Sequence, residues 1–234
     1  EITHEEFYTR LAECDELPKT SQPSPDTFMK VFNEAVAAGD DVLGIFISSD
    51  LSGTYQRACL AALDVEEETA KKLYMVESRS ASIGTALLIR EAVKLRDSGV
   101  NVSDIAAACT EMSKYIKLTA VVGLLKYLKM GGRLSGAAAF AGTMLHITPV
   151  VSIEDGKVVV IGKTRGKKAA EKLMHDKLTK DGLSLTRDFM FGHINCSESL
   201  ETFINKSLTY ISDVNGNVCV SSIGCSVGTH VGPG

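Results

Sequence analysis

The apolar run Val42–Ile47 constrains the fold of this chain more than any other segment. A continuous apolar strand of this kind is typical of a sheet that is covered on both faces. One helix is predicted before it, with Ser24 as N-cap and Pro25 in the first turn, and another after it, from about Gly53 to Leu63. The alternation continues with predicted elements at Leu73–Val76, Ile83–Leu95, Ser103–Ile116 and Leu118–Val122. Strands separated by helices predict a parallel sheet with right-handed crossovers.

The pattern changes after Pro149. Two β segments flank Asp155-Gly156, which is a strong signal for a hairpin. The elements predicted after it alternate again, with a helix near Lys167–Thr179, a strand at Asp188–Ile194, a helix from Ser197 to Ile211 and a strand at Asn217–Ser222. We therefore predict an α/β protein in which a parallel-sheet α/β/α domain, residues 1–148, precedes a smaller α+β domain, residues 149–234.

Charge and composition argue against several classes of function. The chain has 234 residues and a formal net charge of −4, whereas a nucleic-acid-binding protein usually has a surplus of basic residues. The basic cluster Lys163–Lys168 is interpreted either as a solvated helix terminus or as a docking surface. The apolar stretch Leu118–Phe140 is interrupted by three basic residues, so no membrane span is predicted. We expect a cytoplasmic protein, and a transient contact with a membrane surface is left open.

The six cysteines give no sign of a metal site or a disulfide framework. They are far apart in the sequence and form no CxxC pair, and several lie among apolar residues. No metal ion and no cofactor is expected.

Two turns rich in hydroxyl groups, Thr20–Pro25 and Ser48–Tyr55, each precede a predicted helix. The first N–H groups of a helix lack partners and the helix dipole is positive there, so such turns favour anions. Neither turn contains an arginine or a cluster of metal ligands, which suits a single carboxylate better than a polyphosphate. Ser52 is interpreted either as an N-cap or as a ligand, whereas Ser24 is predicted to be an N-cap.

His230 lies in a glycine-rich segment that allows close approach of the backbone. An imidazole there can bond a hydroxyl or a carboxylate. Ser52 and His230 together also admit a serine hydrolase or acyltransferase. However, Leu51-Ser52-Gly53 is not a nucleophile elbow and no aspartate is obviously placed to orient the histidine. Gly131-Gly132-Arg133 lacks the spacing of a phosphate loop and is interpreted as a helix C-cap with a turn.

Six stretches, taken in order, resemble the DegV fatty-acid-binding family. They are Thr20–Pro25, Leu51–Gln56, Leu128–Leu134, Pro149 to Lys157, Lys163–Arg165 and Gly228–Gly234. Each is weak alone, but the ordered set is specific and covers nearly the whole chain.

The resemblance implies a two-domain α/β protein that encloses one long-chain fatty acid between its domains. It also implies a non-catalytic carrier that presents the fatty acid to a separate fatty acid kinase subunit in bacterial phospholipid metabolism. Thr20 and Ser52 would bond the carboxylate and His230 would complete the network. Further residues that the resemblance assigns are Ser21, Gly53 and Thr54 around the carboxylate, and Arg133 and Arg165 for kinase docking or phosphate transfer.

The chain also departs from the family pattern. The opening strand with an Asp-Ser pair is not found, so we expect the first domain to be truncated at its start. Glu77-Ser78 occupies a position where Asp-Ser is common, and Thr148 precedes Pro149 where lysine is usual. A module for another small carboxylate or a sugar-like ligand, similar to the substrate domain of dihydroxyacetone kinases, is the remaining alternative.

Overall fold

The structure is a computed structural model that describes residues 2–135, 147–184, 186–210 and 215–233. In these residues the helices are α1 His4–Glu13, α2 Pro25–Ala37, α3 Thr54–Thr69, α4 Ile83–Asp97, α5 Val102–Met112, α6 Leu125–Met130, α7 Lys167–Asp181, α8 Ser197–Tyr210 and α9 Cys225–Val231. The strands are β1 Leu43–Phe46, β2 Tyr74–Glu77, β3 Leu118–Val121, β4 Ile147–Glu154, β5 Lys157–Arg165, β6 Phe189–His193 and β7 Val218–Ser222. The predicted α/β class is confirmed.

The chain forms two compact units. One is continuous, Ser21–Ile116, and is called the α/β unit below. The other combines Glu1–Thr20 with Lys117–Gly234 and is called the composite unit. This division does not coincide with the predicted boundary at residue 148.

The α/β unit is built on strands β1 and β2, which pair in parallel with Leu43 opposite Tyr74, as predicted. Ser24 caps α2 by accepting the N–H of Thr27, and Pro25 occupies the first turn, also as predicted. Small residues allow α3 to pack closely: Ala58 and Ala62 are buried against Phe32 of α2. A second core forms where Val76, Leu88, Ala92, Ile105, Ala106 and Cys109 are buried together.

The N-terminus of α5 corrects one prediction. The sequence predicted Ser103-Asp104 as the cap, but Asn101 is the N-cap and its side chain accepts the N–H of Asp104. Ser103 instead donates its hydroxyl to the Asn101 side chain, so it lies inside the first turn.

The strand predicted at Leu118–Val122 is present, but the sheet to which it was assigned was predicted wrongly. It was expected in the parallel sheet of the first domain, but β3 pairs antiparallel with β4, with Leu118 opposite Ile153. An apolar run identifies a buried strand without identifying its partner, and the buried strand β4 supplies that partner here. This pairing is why the residues from Lys117 onward belong to the composite unit.

The hairpin β4–β5 is confirmed at Asp155-Gly156. Both residues have positive φ, +48° and +82°, as a type I′ turn requires. Helix α7 packs on this sheet, burying Ala170 and Met174 against Val150. Strands β6 and β7 form a separate parallel pair in the same unit.

Helix α9 was not predicted, because the segment that contains it is rich in glycine. It packs with α1 and α6 around the buried residues Tyr8, Leu11, Tyr127 and Ile194. Gly228 is required on α9, since a Cβ at this position would overlap the Tyr8 hydroxyl. This arrangement fixes the end of the chain that carries His230.

Among the described residues, no helix combines the length and apolar character that crossing a bilayer needs.

Candidate functional site

Thr20 and His230 meet in the composite unit. Oγ1 of Thr20 lies 2.9 Å from Nε2 of His230, although the two residues are 210 positions apart in the sequence. Thr20 is exposed in the segment between α1 and α2, and His230 lies in the last turn of α9. The structure therefore brings together two of the residues that were singled out from the sequence.

The edge of the His230 ring opposite to Thr20 is buried. Its Nδ1 is buried and has no hydrogen-bond partner among the described residues. Gly131 lies against this atom, and a Cβ at position 131 would overlap it. Arg133 donates from Nη1 to the carbonyl oxygen of Gly131 over 2.6 Å, which fixes the turn against the ring. The glycine doublet after α6 thus has a role in the site that the sequence interpretation missed.

Burial lowers the pKa of His230, and the positive charge of Arg133 lowers it further. The ring is therefore neutral at neutral pH, with its proton on one nitrogen only. A proton on Nδ1 would be buried without an acceptor, so the surroundings favour the tautomer with the proton on Nε2. In that tautomer His230 donates to Thr20, and the Thr20 hydroxyl keeps its own proton to donate to a ligand.

Tyr8 fixes α9 from the side of α1. Its hydroxyl donates to the carbonyl oxygen of Ile223 over 2.9 Å, just before α9 begins. Burial, with a contribution from Cys225, raises the pKa of Tyr8 to about 12, so the hydroxyl stays protonated as a donor. At the other end of α9, Gly232 has φ +82° and lies against the ring of Tyr127. Both contacts hold the helix that positions His230.

The second hydroxyl pair lies in the α/β unit, after the carboxyl end of β1. Oγ of Ser52 lies 2.8 Å from Oγ1 of Thr54, and the Thr54 N–H donates to Ser52 Oγ over 3.4 Å. Gly53 is the N-cap residue of α3 and provides no side-chain cap. A Cβ on Gly53 would overlap the Gln22 amide, which lies against this residue and would have to move.

The remaining candidate residues are placed as follows. Ser21 is exposed directly after Thr20. Arg133 is half-buried beside Gly131, and Arg165 is exposed at the end of β5. The Thr20–His230 pair and the Ser52–Thr54 pair belong to different compact units. Among the described residues, no group of three or more His, Cys, Asp and Glu side chains could hold a metal ion.

Comparisons with known proteins give one family. A family model described as "Uncharacterised protein, DegV family" matches residues 1–234. A DegV domain-containing protein of Clostridium acetobutylicum is 35% identical over 244 residues, covering 100% of this chain and 81% of that protein. A DegV domain-containing protein of Caldanaerobacter subterraneus is 32% identical over 234 residues, with coverage of 100% and 81%.

Solved structures with this fold are described as fatty-acid-binding proteins. A DegV family protein from Thermus thermophilus, described by its fatty acid binding, is 30% identical with a TM-score of 0.87, covering 100% of this chain and 82% of that one. A fatty acid binding DegV family protein from Streptococcus agalactiae is 28% identical with a TM-score of 0.85, with coverage of 100% and 81%. DegV of Bacillus subtilis, a fatty acid binding protein, is 27% identical with a TM-score of 0.83, with coverage of 98% and 80%.

Proposed function

Since this chain belongs to the DegV family, we propose that it binds a long-chain fatty acid through Thr20, His230 and Ser52. In this proposal it does not transform the lipid but presents the carboxylate to a separate kinase subunit, which supplies ATP and metal ions. The cytoplasm is where ATP is available, and we place the activity there.

The Thr20–His230 hydrogen bond is the observation that carries the proposal. Because Nε2 donates to Thr20, the threonine hydroxyl is oriented as a donor toward an acceptor. A carboxylate accepts such a bond and carries the charge that strengthens it. No positively charged side chain is required, which suits a carrier that must release its ligand.

The Ser52–Thr54 pair is the second proposed contact with the carboxylate. Its two hydroxyls share one hydrogen bond, so one proton remains to be donated outward. Ser21 and Gly53 are proposed as neighbours of the same ligand, on the strength of the family resemblance. The proposal predicts that Thr20 and Ser52 act on one ligand, so their substitutions should be coupled in a double-mutant cycle.

The acyl chain is proposed to supply most of the affinity. Burying roughly 16 methylenes at about 0.8 kcal/mol each gives on the order of 13 kcal/mol before costs. Ordering the chain and desolvating the carboxylate offset several kcal/mol of this. The hydroxyls are then left to orient the head group.

Arg133 and Arg165 are proposed to serve the kinase step. Arg165 is exposed between basic neighbours, and a planar guanidinium can donate two parallel bonds to a phosphate. Arg133 is bonded to the turn beside His230, so it also supports the ring.

A serine hydrolase would need an imidazole nitrogen as the base for Ser52. In this structure Nε2 of His230 bonds Thr20, and Oγ of Ser52 bonds Thr54. The contacts therefore support noncovalent recognition better than nucleophilic attack.

Native mass spectrometry of the protein purified from cells, followed by lipid extraction, tests the proposal. We expect one fatty acid per chain, and palmitate added to the delipidated protein should rebind. Addition of a fluorophosphonate is the companion measurement. Stoichiometric labelling of Ser52, or failure to bind any fatty acid, would contradict a noncovalent carrier.

A further inference from the structure

Glu77, the last residue of β2, holds the turn that carries Ser52. One oxygen of its carboxylate, Oε1, accepts the Ser49 N–H over 2.7 Å and the Ser49 hydroxyl over 2.6 Å. Two donors from one residue on one carboxylate oxygen fix both the backbone and the side chain of Ser49. Hydrogen bonds to a charged acceptor are also stronger than those between neutral groups.

The other residues of this turn are also held by hydrogen bonds, which begin at the loop after β2. The Ser48 N–H donates to the carbonyl oxygen of Ser80 over 2.8 Å, and Ser48 is completely buried. The Ser52 N–H in turn donates to the Ser48 carbonyl oxygen over 3.1 Å. The first residues of the turn are therefore bonded to β2 and the loop after it, whereas its end presents the Ser52 hydroxyl.

Glu77 also lies near the first two turns of α3. Tyr55 and Cys59 lie on this helix, and the Glu77 charge acts on both of them. Burial, a hydrogen bond to Cys59 and the charges of Cys59 and Glu77 raise the pKa of Tyr55 to about 12. The Tyr55 hydroxyl therefore stays protonated and uncharged, and Ser49 supplies the two hydrogen bonds to the Glu77 carboxylate.

We propose that Glu77 is a positioning residue for ligand binding, which sets the Ser52 hydroxyl through its two hydrogen bonds with Ser49. The inference rests on the proposed function, because it assumes that Ser52 bonds the carboxylate of the fatty acid. Glu77 itself does not touch the ligand in this mechanism. It acts on the ability to distinguish a carboxylate from an uncharged head group, and not on the acyl chain.

Glu66 provides a matched control in the same unit. Its carboxylate accepts the N–H of Leu73 over 2.7 Å and pairs with Lys72, just before β2 begins. Glu66→Ala therefore removes a comparable bond between a carboxylate and the backbone, at the end of β2 opposite to Glu77. Both variants should lose stability, but only one should affect the Ser52 turn.

The experiment is a titration of palmitate and of methyl palmitate into the wild type, Glu77→Ala, Glu77→Gln and Glu66→Ala. We expect Glu77→Ala to weaken palmitate binding by about threefold to tenfold, no more than loss of the Ser52 hydroxyl itself, while binding of the ester is unchanged. Glu77→Gln keeps an oxygen acceptor but loses the negative charge, so it should recover only part of the loss. Glu66→Ala should keep the wild-type ratio of the two affinities.

The outcomes separate the two claims. A wild-type ratio of the palmitate and ester affinities in Glu77→Ala overturns the positioning role while the proposed function survives. This holds whether both affinities are unchanged or both fall by the same factor, since the second pattern indicates general unfolding. If Glu77→Ala does not fold, Ser49→Ala replaces it and should lower palmitate affinity selectively by about threefold, because only the hydroxyl donor is lost. A wild type that binds neither ligand overturns the proposed function together with this inference.

Discussion

At the scale of single residues, Gly131 decides whether His230 can reach Thr20. Its missing side chain leaves the space in which Nδ1 of His230 lies, and a Cβ there would overlap the ring. The constraint is steric and not conformational, because Gly131 has φ −73° and ψ −8°, which any residue can adopt.

We therefore predict that Gly131→Ala displaces the imidazole and breaks its bond to Thr20. Fatty acid affinity should fall by about tenfold, which corresponds to about 1.4 kcal/mol. Calorimetric titration with palmitate measures this. Gly224→Ala is the control, since a Cβ at that position meets no atom within 4 Å. Equal affinities in the two variants would show that the ring position is irrelevant to binding.

Ser52 has a narrower role in the proposal, because it orients the head group and contributes little affinity. We predict that Ser52→Ala weakens palmitate binding by about threefold to tenfold, as expected for one net hydrogen bond. Phosphorylation of the bound lipid by a kinase subunit should fall by a larger factor. Parallel binding and phosphotransfer assays compare the two losses. Ser24→Ala, which removes only the cap of α2, should lower stability and leave both assays unchanged. Equal loss in both assays for Ser52→Ala would contradict this division of roles.

At the scale of elements, a histidine buried between α7 and α8 makes the stability of their packing depend on pH. His175 of α7 lies 2.7 Å from Ser207 Oγ through Nε2 and stacks on Phe203, with the ring centroids 5.3 Å apart. Ser207 donates to the Phe203 carbonyl oxygen, so it accepts the proton of His175. Burial lowers the pKa of His175, opposed by the Glu171 and Asp176 carboxylates and reinforced by Lys206.

The folded state therefore binds protons at His175 less readily than the unfolded chain, which titrates near pH 6.5. This stabilising contribution is complete above about pH 6.5 and is lost as the pH falls below it. We predict that His175→Gln flattens the pH dependence of the free energy of unfolding between about pH 7 and pH 5. Urea denaturation at each pH measures this. An unchanged slope in His175→Gln would contradict the assignment.

The elements also show which information is local in the sequence. The Ser24 cap, the Asp155-Gly156 turn and the β1 run were predicted because a few neighbouring residues determine each of them. The partner of β3 was predicted wrongly, since strand pairing depends on residues far away in the chain. Helix α9 was missed because glycine disfavours helices in isolation, whereas packing of Tyr8 on Gly228 requires it here. The hydroxyl-rich turns before α2 and α3 were predicted from turn chemistry alone. The contact of His230 with Gly131 could not be predicted, because the two residues are far apart in the sequence.

At the scale of the whole molecule, a chain with net charge −4 is proposed to bind an anion. Long-range charge does not favour such a ligand, so affinity should come from the acyl chain. We predict that affinity rises by about fourfold for each added methylene, from about 0.8 kcal/mol per group, until the chain is fully buried. Titration with saturated fatty acids of increasing length measures this. An affinity independent of length would favour the alternative of a small-carboxylate module.

Ligand binding should also stabilise the whole chain, because the fatty acid binds the folded state and not the unfolded one. At a free concentration of about 100 times Kd the expected gain is about 2.7 kcal/mol. For a chain of this size each kcal/mol raises Tm by about 2–4 °C, so palmitate should raise Tm by about 5–11 °C. Differential scanning calorimetry of the delipidated protein, with palmitate kept below its micellar concentration, measures the shift. Octanoate at the same concentration is the control and should give a much smaller shift, because its short chain buries less apolar surface. If palmitate at saturation leaves Tm unchanged, it does not bind the folded chain. That result would contradict the proposal that Thr20, His230 and Ser52 bind the carboxylate of a long-chain fatty acid.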